Sequence, residues 1–297
     1  MRKGILTGTS SWTDPTLLKS GWYPKEAKTA EERLVFYSSH FPVVEVDATY
    51  YAMPSERTAG LWVDRTPKQF VFDVKAFALF TQHPANVRGL PKDLREGLPP
   101  TRSKVYLKNL APEVIDEAWE RFRSALMPLH SAGKLGAVLF QFPEWFAPSV
   151  PNKAYLASLR ERLPDYDIAV EFRRNTWMGT PEGADKTLAY LQELGYSYVC
   201  VDMPQGFDSS LPPIAAATSS SLAIVRFHGR NRKTWKAPGL TAAQRFNYLY
   251  KESELEEWEP KLRELAGEAR EVHALFNNCY ADKGVRNARQ MAELIED

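Results

Sequence analysis

The chain has 297 residues, of which 44% are hydrophobic, 25% charged and 12% aromatic, the make-up of a globular protein and not of a disordered or fibrous one. Its 38 Lys and Arg against 37 Asp and Glu leave a net charge of +1, so no global field draws it to nucleic acid or membrane, and any such affinity must come from a local patch. Two cysteines, Cys200 and Cys279, exclude a disulfide framework and a four-cysteine zinc or iron–sulfur site.

At the start of the chain, Met1-Arg2-Lys3 runs into the short Gly4-Ile5-Leu6, and no run of 18 apolar residues occurs anywhere. The expectation is a cytoplasmic protein with no signal peptide and no membrane span. Short β-rich apolar runs then recur, predicting strands at 4–9, 43–49, 70–75, 135–141, 167–173, 198–203, 222–228 and 272–277. Helical patterns fill most of the intervals, at 29–40, 55–65, 113–131, 153–163, 183–194, 254–266 and 285–295. Ser55 and Asp185 read as helix starts, Gly133 and Gly195 as stops. Strands alternating with helices imply parallel pairing through right-handed crossovers. Eight of them predict an α/β fold of the TIM-type (β/α)8 barrel class, in a single domain over 1–297. An open doubly wound sheet is the alternative, but no Gly-x-Gly-x-x-Gly turn follows any strand. The interval 204–221 shows no helical pattern, so the sixth repeat is read as degenerate.

One connection is too long for a barrel loop. The insertion at about 80–111, after the third strand, holds Pro84, Pro91, Pro99 and Pro100, with Pro112 just beyond. Between 84 and 110 it carries Arg88, Lys92, Arg95, Arg102, Lys104 and Lys108 against only Asp93 and Glu96. A long segment without periodicity, basic throughout, is read as a functional flap.

Alternation within the strands points to a site. With Val44, Val46 and Ala48 facing the helices, Glu45, Asp47 and Thr49 face the barrel interior. The same logic turns inward Asp73 and Lys75, Gln141, Glu171 and Arg173, Asp202, Arg226 and His228, and Asn277. These polar sets sit toward the C-terminal ends of their strands, the face on which barrel enzymes build their sites. From 226 to 236 five basic residues occur without an acid, in Arg226-Phe227-His228-Gly229-Arg230-Asn231-Arg232-Lys233 and its continuation. Guanidinium forks match phosphate geometry, and loops after late barrel strands often hold phosphate. Trp12, Tyr50, Tyr51, Trp145, Trp177 and Trp235 each follow a strand, as flat faces for a base or sugar ring would. The five histidines contain no zinc-type spacing, so no zinc cluster is expected; His40, His130 and His273 read as structural. The cofactor is otherwise open, with Asp47, Glu171 and Asp202 available to a Mg²⁺ ion.

Gly8-Thr9-Ser10-Ser11-Trp12, Val44-Glu45-Val46-Asp47-Ala48-Thr49-Tyr50-Tyr51, Phe72-Asp73-Val74-Lys75-Ala76, Leu139-Phe140-Gln141-Phe142-Pro143, Val170-Glu171-Phe172-Arg173, Arg226-Phe227-His228-Gly229-Arg230 and Phe276-Asn277-Asn278, in this order, resemble the DUF72 (YecE-like) family over nearly the whole chain. The resemblance implies a TIM-type barrel and leaves the activity open, although some members are likened, by fold alone, to barrel endonucleases acting at damaged DNA. Two departures stand. Gln82 separates Thr81 from His83, and Cys279 follows Asn278, where members often carry His.

The functional expectation is an enzyme, of hydrolase or lyase type, that takes a phosphate-bearing ligand: a nucleotide, a sugar phosphate or nucleic acid. Arg173, Arg226 and Arg230 would hold the anion, with His228, Gln141 and Asn277 beside them. Glu171 or Asp202 would be the general acid or base, Lys75 would stabilise developing charge, and Asp47 is counted with them as a catalytic residue. Trp12, Tyr51 and Trp177 would wall the pocket. On this reading Glu171→Gln leaves folding intact and abolishes turnover. Two alternatives are a non-catalytic nucleic-acid or nucleotide binder and a carbohydrate-processing barrel with paired carboxylates.

Overall fold

All eight predicted strands form and pair in parallel in the computed structural model, which describes residues 4–96, 98 and 103–296. In chain order the strands are β1 (Gly4–Thr9), β2 (Val43–Val46), β3 (Val71–Lys75), β4 (Ala85–Asn86), β5 (Lys104–Val105), β6 (Leu135–Gln141), β7 (Ile168–Glu171), β8 (Ser197–Asp202), β9 (Leu222–Phe227) and β10 (Glu271–Phe276). Eight of them close into a barrel in the order β1-β10-β9-β8-β7-β6-β3-β2. The short β4 and β5 form a separate antiparallel pair inside the insertion.

The helices are α1 (Pro15–Lys19), α2 (Ala30–Ser38), α3 (Glu56–Asp64), α4 (Pro112–Ser131), α5 (Val150–Arg162), α6 (Pro181–Leu194), α7 (Arg232–Trp235), α8 (Ala242–Arg245), α9 (Glu252–Glu256), α10 (Glu259–Glu268) and α11 (Lys283–Glu296). Ser55 caps α3 as expected, its hydroxyl accepting from Thr58 N. Asp185 does not start a helix. α6 begins four residues earlier, because Thr180 caps it and Pro181 supplies a first residue that needs no N–H partner. Gly195 ends it in the left-handed region at φ 68°. Between β8 and β9 no helix or strand forms, so the sixth repeat is degenerate.

Strand register divides the side chains. Val44, Phe72, Val74, Phe140, Val170 and Phe172 are wholly buried in the layer between strands and helices, while their neighbours along each strand fill the barrel. Low in the barrel, β6 crosses β3 with a register shift between Phe72 and Val74. Gly136 lies at that crossing, where a Cβ would come within 2.4 Å of Asp73 Oδ1. Only glycine leaves room for the carboxylate.

That carboxylate belongs to a buried triad. His273 Nδ1 lies 2.7 Å from Asp73 Oδ2 and Nε2 lies 2.9 Å from Glu271 Oε1. With a carboxylate at each ring nitrogen, both nitrogens donate and the ring is an imidazolium. Burial opposes that charge, but Asp73 and Glu271 outweigh it and raise the pKa from 6.5 to about 9. A pKa raised on folding adds stability that is complete below about 6.5 and fades as the pH climbs through 9. Chemical denaturation at pH 6 and pH 9.5 should therefore differ by roughly 3 kcal/mol, and His273→Gln should flatten the dependence. An unchanged pH profile in the variant would remove His273 as its source.

Candidate functional site

A cavity of about 750 Å³ opens at the C-terminal end of the barrel. Its floor is built by the last residues of the strands and the first residues after them. Lys75 closes β3 and Gln141 closes β6, Arg173 stands two residues beyond β7, and Asn277 follows β10. Asp47 also lines it, from the 3₁₀ turn Asp47–Tyr50 that begins directly after β2. The strand predicted over 43–49 thus stops at Val46, and the turn carries Asp47 up to the mouth.

Beneath the floor runs an ionic chain. Arg226 forks onto Glu45, with Nε donating to Oε2 at 2.8 Å and Nη2 to Oε1 at 2.7 Å. Its Nη1 donates to Glu171 Oε2, and Arg173 Nε lies 2.5 Å from Glu171 Oε1. Two acids face two guanidiniums, so the chain is neutral, and Arg226, Glu45 and Glu171 have no solvent exposure. Burial alone would raise the Glu171 pKa, but Arg173 and then Arg226 hold it well below the usual carboxylate range. Burial likewise opposes charge on Arg226, and its two glutamates overcome it. A carboxylate enclosed this way and held between two guanidiniums supports its neighbours.

Arg173 is where the chain meets the cavity. Nη2 donates to Gln141 Oε1 at 3.3 Å and approaches His228 Nε2 at 3.0 Å, while the guanidinium lies 5.5 Å from the Trp235 ring centre. Among the described residues Nη1 has no hydrogen bond. His228 itself is buried below, its other ring nitrogen 2.9 Å from the Asn277 amide. Burial first, then Arg173, push its pKa down to about 3, so it is neutral. Lys75 Nζ donates to Asp47 Oδ1 at 2.7 Å and lies 4.9 Å from the Tyr50 ring centre. Of its three donors, two remain.

Several expected residues sit elsewhere. Glu171, Arg226 and His228 do point inward, but they lie under the floor and not in the cavity lining. Asp202 is a correction: it pairs in register with Phe227, which packs on Trp258, so both face the helix layer. There it accepts from Tyr250 Oη and Trp258 Nε1, both at 2.7 Å, and from Arg230. Arg230 is consequently turned away too, held by Asp202 and Glu257. Trp177 is also corrected: it is 1% exposed, stacked on Phe172 at 4.2 Å, with its N–H donated to the Phe146 carbonyl. Trp12 packs edge-on against Trp62 and Phe72, outside the mouth. The carboxylates considered for Mg²⁺ do not meet, since Asp47, Glu171 and Asp202 each serve different partners. Among the described residues no three His, Cys, Asp or Glu side chains gather as a metal site.

The rings that do wall the cavity are Tyr50, Tyr51, Trp145, Trp235 and Phe246. Tyr51 and Trp145 are each 60% exposed, which leaves their faces open for stacking. Sequence reasoning gave no site role to His83, Glu144, Lys236 and Arg245, all of which line the cavity. Lys236 pairs with Glu144 across the rim, and Arg245 has no side-chain partner among the described residues. The basic stretch 226–236 contributes only Lys236 as a cation, and the flap's Arg88, Lys92, Arg95, Lys104 and Lys108 contribute none. Arg95 instead clamps the flap, donating to the Leu90 and Arg88 carbonyls at 2.7 and 2.8 Å. Arg102, Pro99 and Pro100 lie outside the described residues. Cys279 reaches the cavity, but burial holds its thiol above the ordinary range. No helix among the described residues is long and apolar enough to cross a membrane.

Comparison with known proteins places these features in a lineage. The sequence profile described as "Protein of unknown function DUF72" matches residues 6–297. The UPF0759 protein YunF of Bacillus subtilis is 34% identical over 296 residues, which span 98% of this chain and 95% of that protein. Among solved structures, a DUF72 family protein from Thermotoga maritima superposes with a TM-score of 0.77 at 31% identity, covering 99% of this chain and all of that one. Another, from Enterococcus faecalis, gives a TM-score of 0.79 at 26% identity over 99% of this chain and 96% of its own.

Proposed function

Because the chain belongs to the DUF72 family of proteins of unknown function, the site itself must carry the reading, and we propose that the mouth binds a phosphate-bearing small molecule and acts on it as a hydrolase or lyase. One observation carries this: unspent donors converge on one cavity. Lys75 has two free N–H groups, Arg173 keeps Nη1, and Arg245 is unpaired among the described residues. A neutral sugar can accept these hydrogen bonds but leaves the positive charge unbalanced, whereas a phosphate offers both several acceptor oxygens and the opposite charge.

The size and walls of the cavity refine the ligand. About 750 Å³ suits a mononucleotide or sugar phosphate, and the exposed rings of Tyr51 and Trp145 suit a base or sugar at the rim. Lys75, steadied by Asp47, would stabilise negative charge as it develops on the phosphoryl oxygens.

A thermal-shift panel of nucleoside monophosphates, sugar phosphates, oligonucleotides and the unphosphorylated parents tests this. Ligand at about 100 times its Kd adds roughly 2.7 kcal/mol to stability. The phosphorylated compounds should raise Tm by several degrees and their parents should not, with release of inorganic phosphate marking turnover. Stabilisation by neutral oligosaccharides alone would overturn the proposal in favour of a carbohydrate site.

A further inference from the structure

The third-strand histidine that the sequence displaces by one residue still reaches the mouth. β3 is followed by a 3₁₀ turn, Ala78–Thr81, which ends on Gln82 in the left-handed conformation at φ 60°. That residue turns the chain back, so His83 N donates to the Ala78 carbonyl at 3.0 Å and the ring folds over Thr81. Tyr50 and Trp145 hold the ring edge-on, with centres 5.4 and 5.6 Å away.

The hydrogen bonds fix its tautomer. The Thr81 hydroxyl lies 3.1 Å from the Ala78 carbonyl, which can only accept, so the one hydroxyl hydrogen is given there. Thr81 Oγ1 must therefore accept from His83, whose Nδ1 lies 2.9 Å away. With the proton on Nδ1, Nε2 presents a bare lone pair. It has no partner among the described residues, and the ring lines the cavity. The mouth's carboxylates are engaged already: Asp47 by Lys75, Glu144 by Lys236, and Asp14 by the start of α1.

We infer that His83 is the specificity residue of this anion site, its Nε2 accepting a hydrogen bond from an oxyanion that still carries a proton, so that the site selects inorganic phosphate, and phosphate monoesters in their singly protonated form, over sulfate. The inference rests on the phosphate reading above and narrows it. Lys75 and Arg173 supply donors that any oxyanion satisfies. Of the atoms an oxyanion presents, only a P–OH group can donate to Nε2, and inorganic phosphate keeps one at neutral pH while a monoester gains it near pH 6. Sulfate has no such proton and would set an oxygen lone pair against a nitrogen lone pair. Burial, followed by Lys75 and Arg173, pushes the His83 pKa down to about 4, so the imidazole stays neutral and keeps its acceptor.

The test is calorimetric titration of the full chain at pH 7.5 with inorganic phosphate and with sulfate. The wild type should prefer phosphate by on the order of tenfold or more. His83→Leu should lose that preference by weakening phosphate while sparing sulfate, and His83→Gln, which restores an acceptor oxygen, should recover part of it. Equal affinity of the wild type for the two ions would overturn the role of His83 and leave the anion site standing, and it needs no variant to fold. Equal weakening of both ions in His83→Leu would assign the ring a structural part only. If neither ion nor a phosphate monoester binds the wild type, the phosphate reading fails, and this inference with it.

Discussion

Arg226→Met lowers the stability of the barrel by about 3–5 kcal/mol, seen as a fall in Tm of roughly 5–10 °C. Methionine fills a similar volume, so the loss does not come from a hole. It comes from Glu45 and Glu171, two carboxylates without solvent exposure that lose the guanidinium bridging them. One charge left unpaired in the barrel costs more than the whole pair contributes. Neutralising the glutamates together with the arginine should recover much of the loss, because a matched apolar set carries no desolvation cost. Glu171→Gln, expected from sequence to spare folding, is now expected to destabilise as well, since it weakens the grip on both Arg226 and Arg173. Denaturant unfolding of Arg226→Met within 1 kcal/mol of the parent would show that the chain beneath the floor is not what holds the mouth in shape.

Lys75→Met is the counterpart on the binding side. Phosphate-ligand affinity should fall by about tenfold to a hundredfold, the worth of one charge-assisted hydrogen bond. Turnover should fall further, because the ammonium also meets charge that grows during the reaction. Stability should change little, since the Asp47 left behind is 30% exposed and remains hydrated. The contrast between the two substitutions separates roles that charge alone would merge. Arg226 is consumed by protein carboxylates, while Lys75 keeps donors for a ligand. Calorimetry showing parental affinity in Lys75→Met would take Lys75 out of the site.

The barrel was legible because its strands are short β-rich runs set between helical stretches, and the parity of Glu45, Lys75, Gln141, Glu171 and Arg226 could be read from their apolar neighbours. Asp202 defeated that reading. Its strand is apolar on both faces, as buried parallel strands are, so Tyr198, Cys200 and Asp202 gave no sign that they share the helix side. Pairing was hidden as well. An inward charge seen in sequence does not disclose its partner, and Arg226 looked like a ligand hook when two glutamates already held it. Trp12 and Trp177 follow strands as Tyr51 and Trp145 do, but their indoles fold back onto Phe72 and Phe172. His83 and Arg245 come from segments without long periodicity, where a left-handed turn and a four-residue helix set direction.

The most direct test of the phosphate site is a crystal structure of the chain with a nucleoside monophosphate. The phosphate should lie on the floor of the mouth, within hydrogen-bond reach of Lys75 Nζ and Arg173 Nη1, with the base against Tyr51 or Trp145. A phosphate seated on the insertion's basic residues or beside Arg230, with the floor left to solvent, would contradict it.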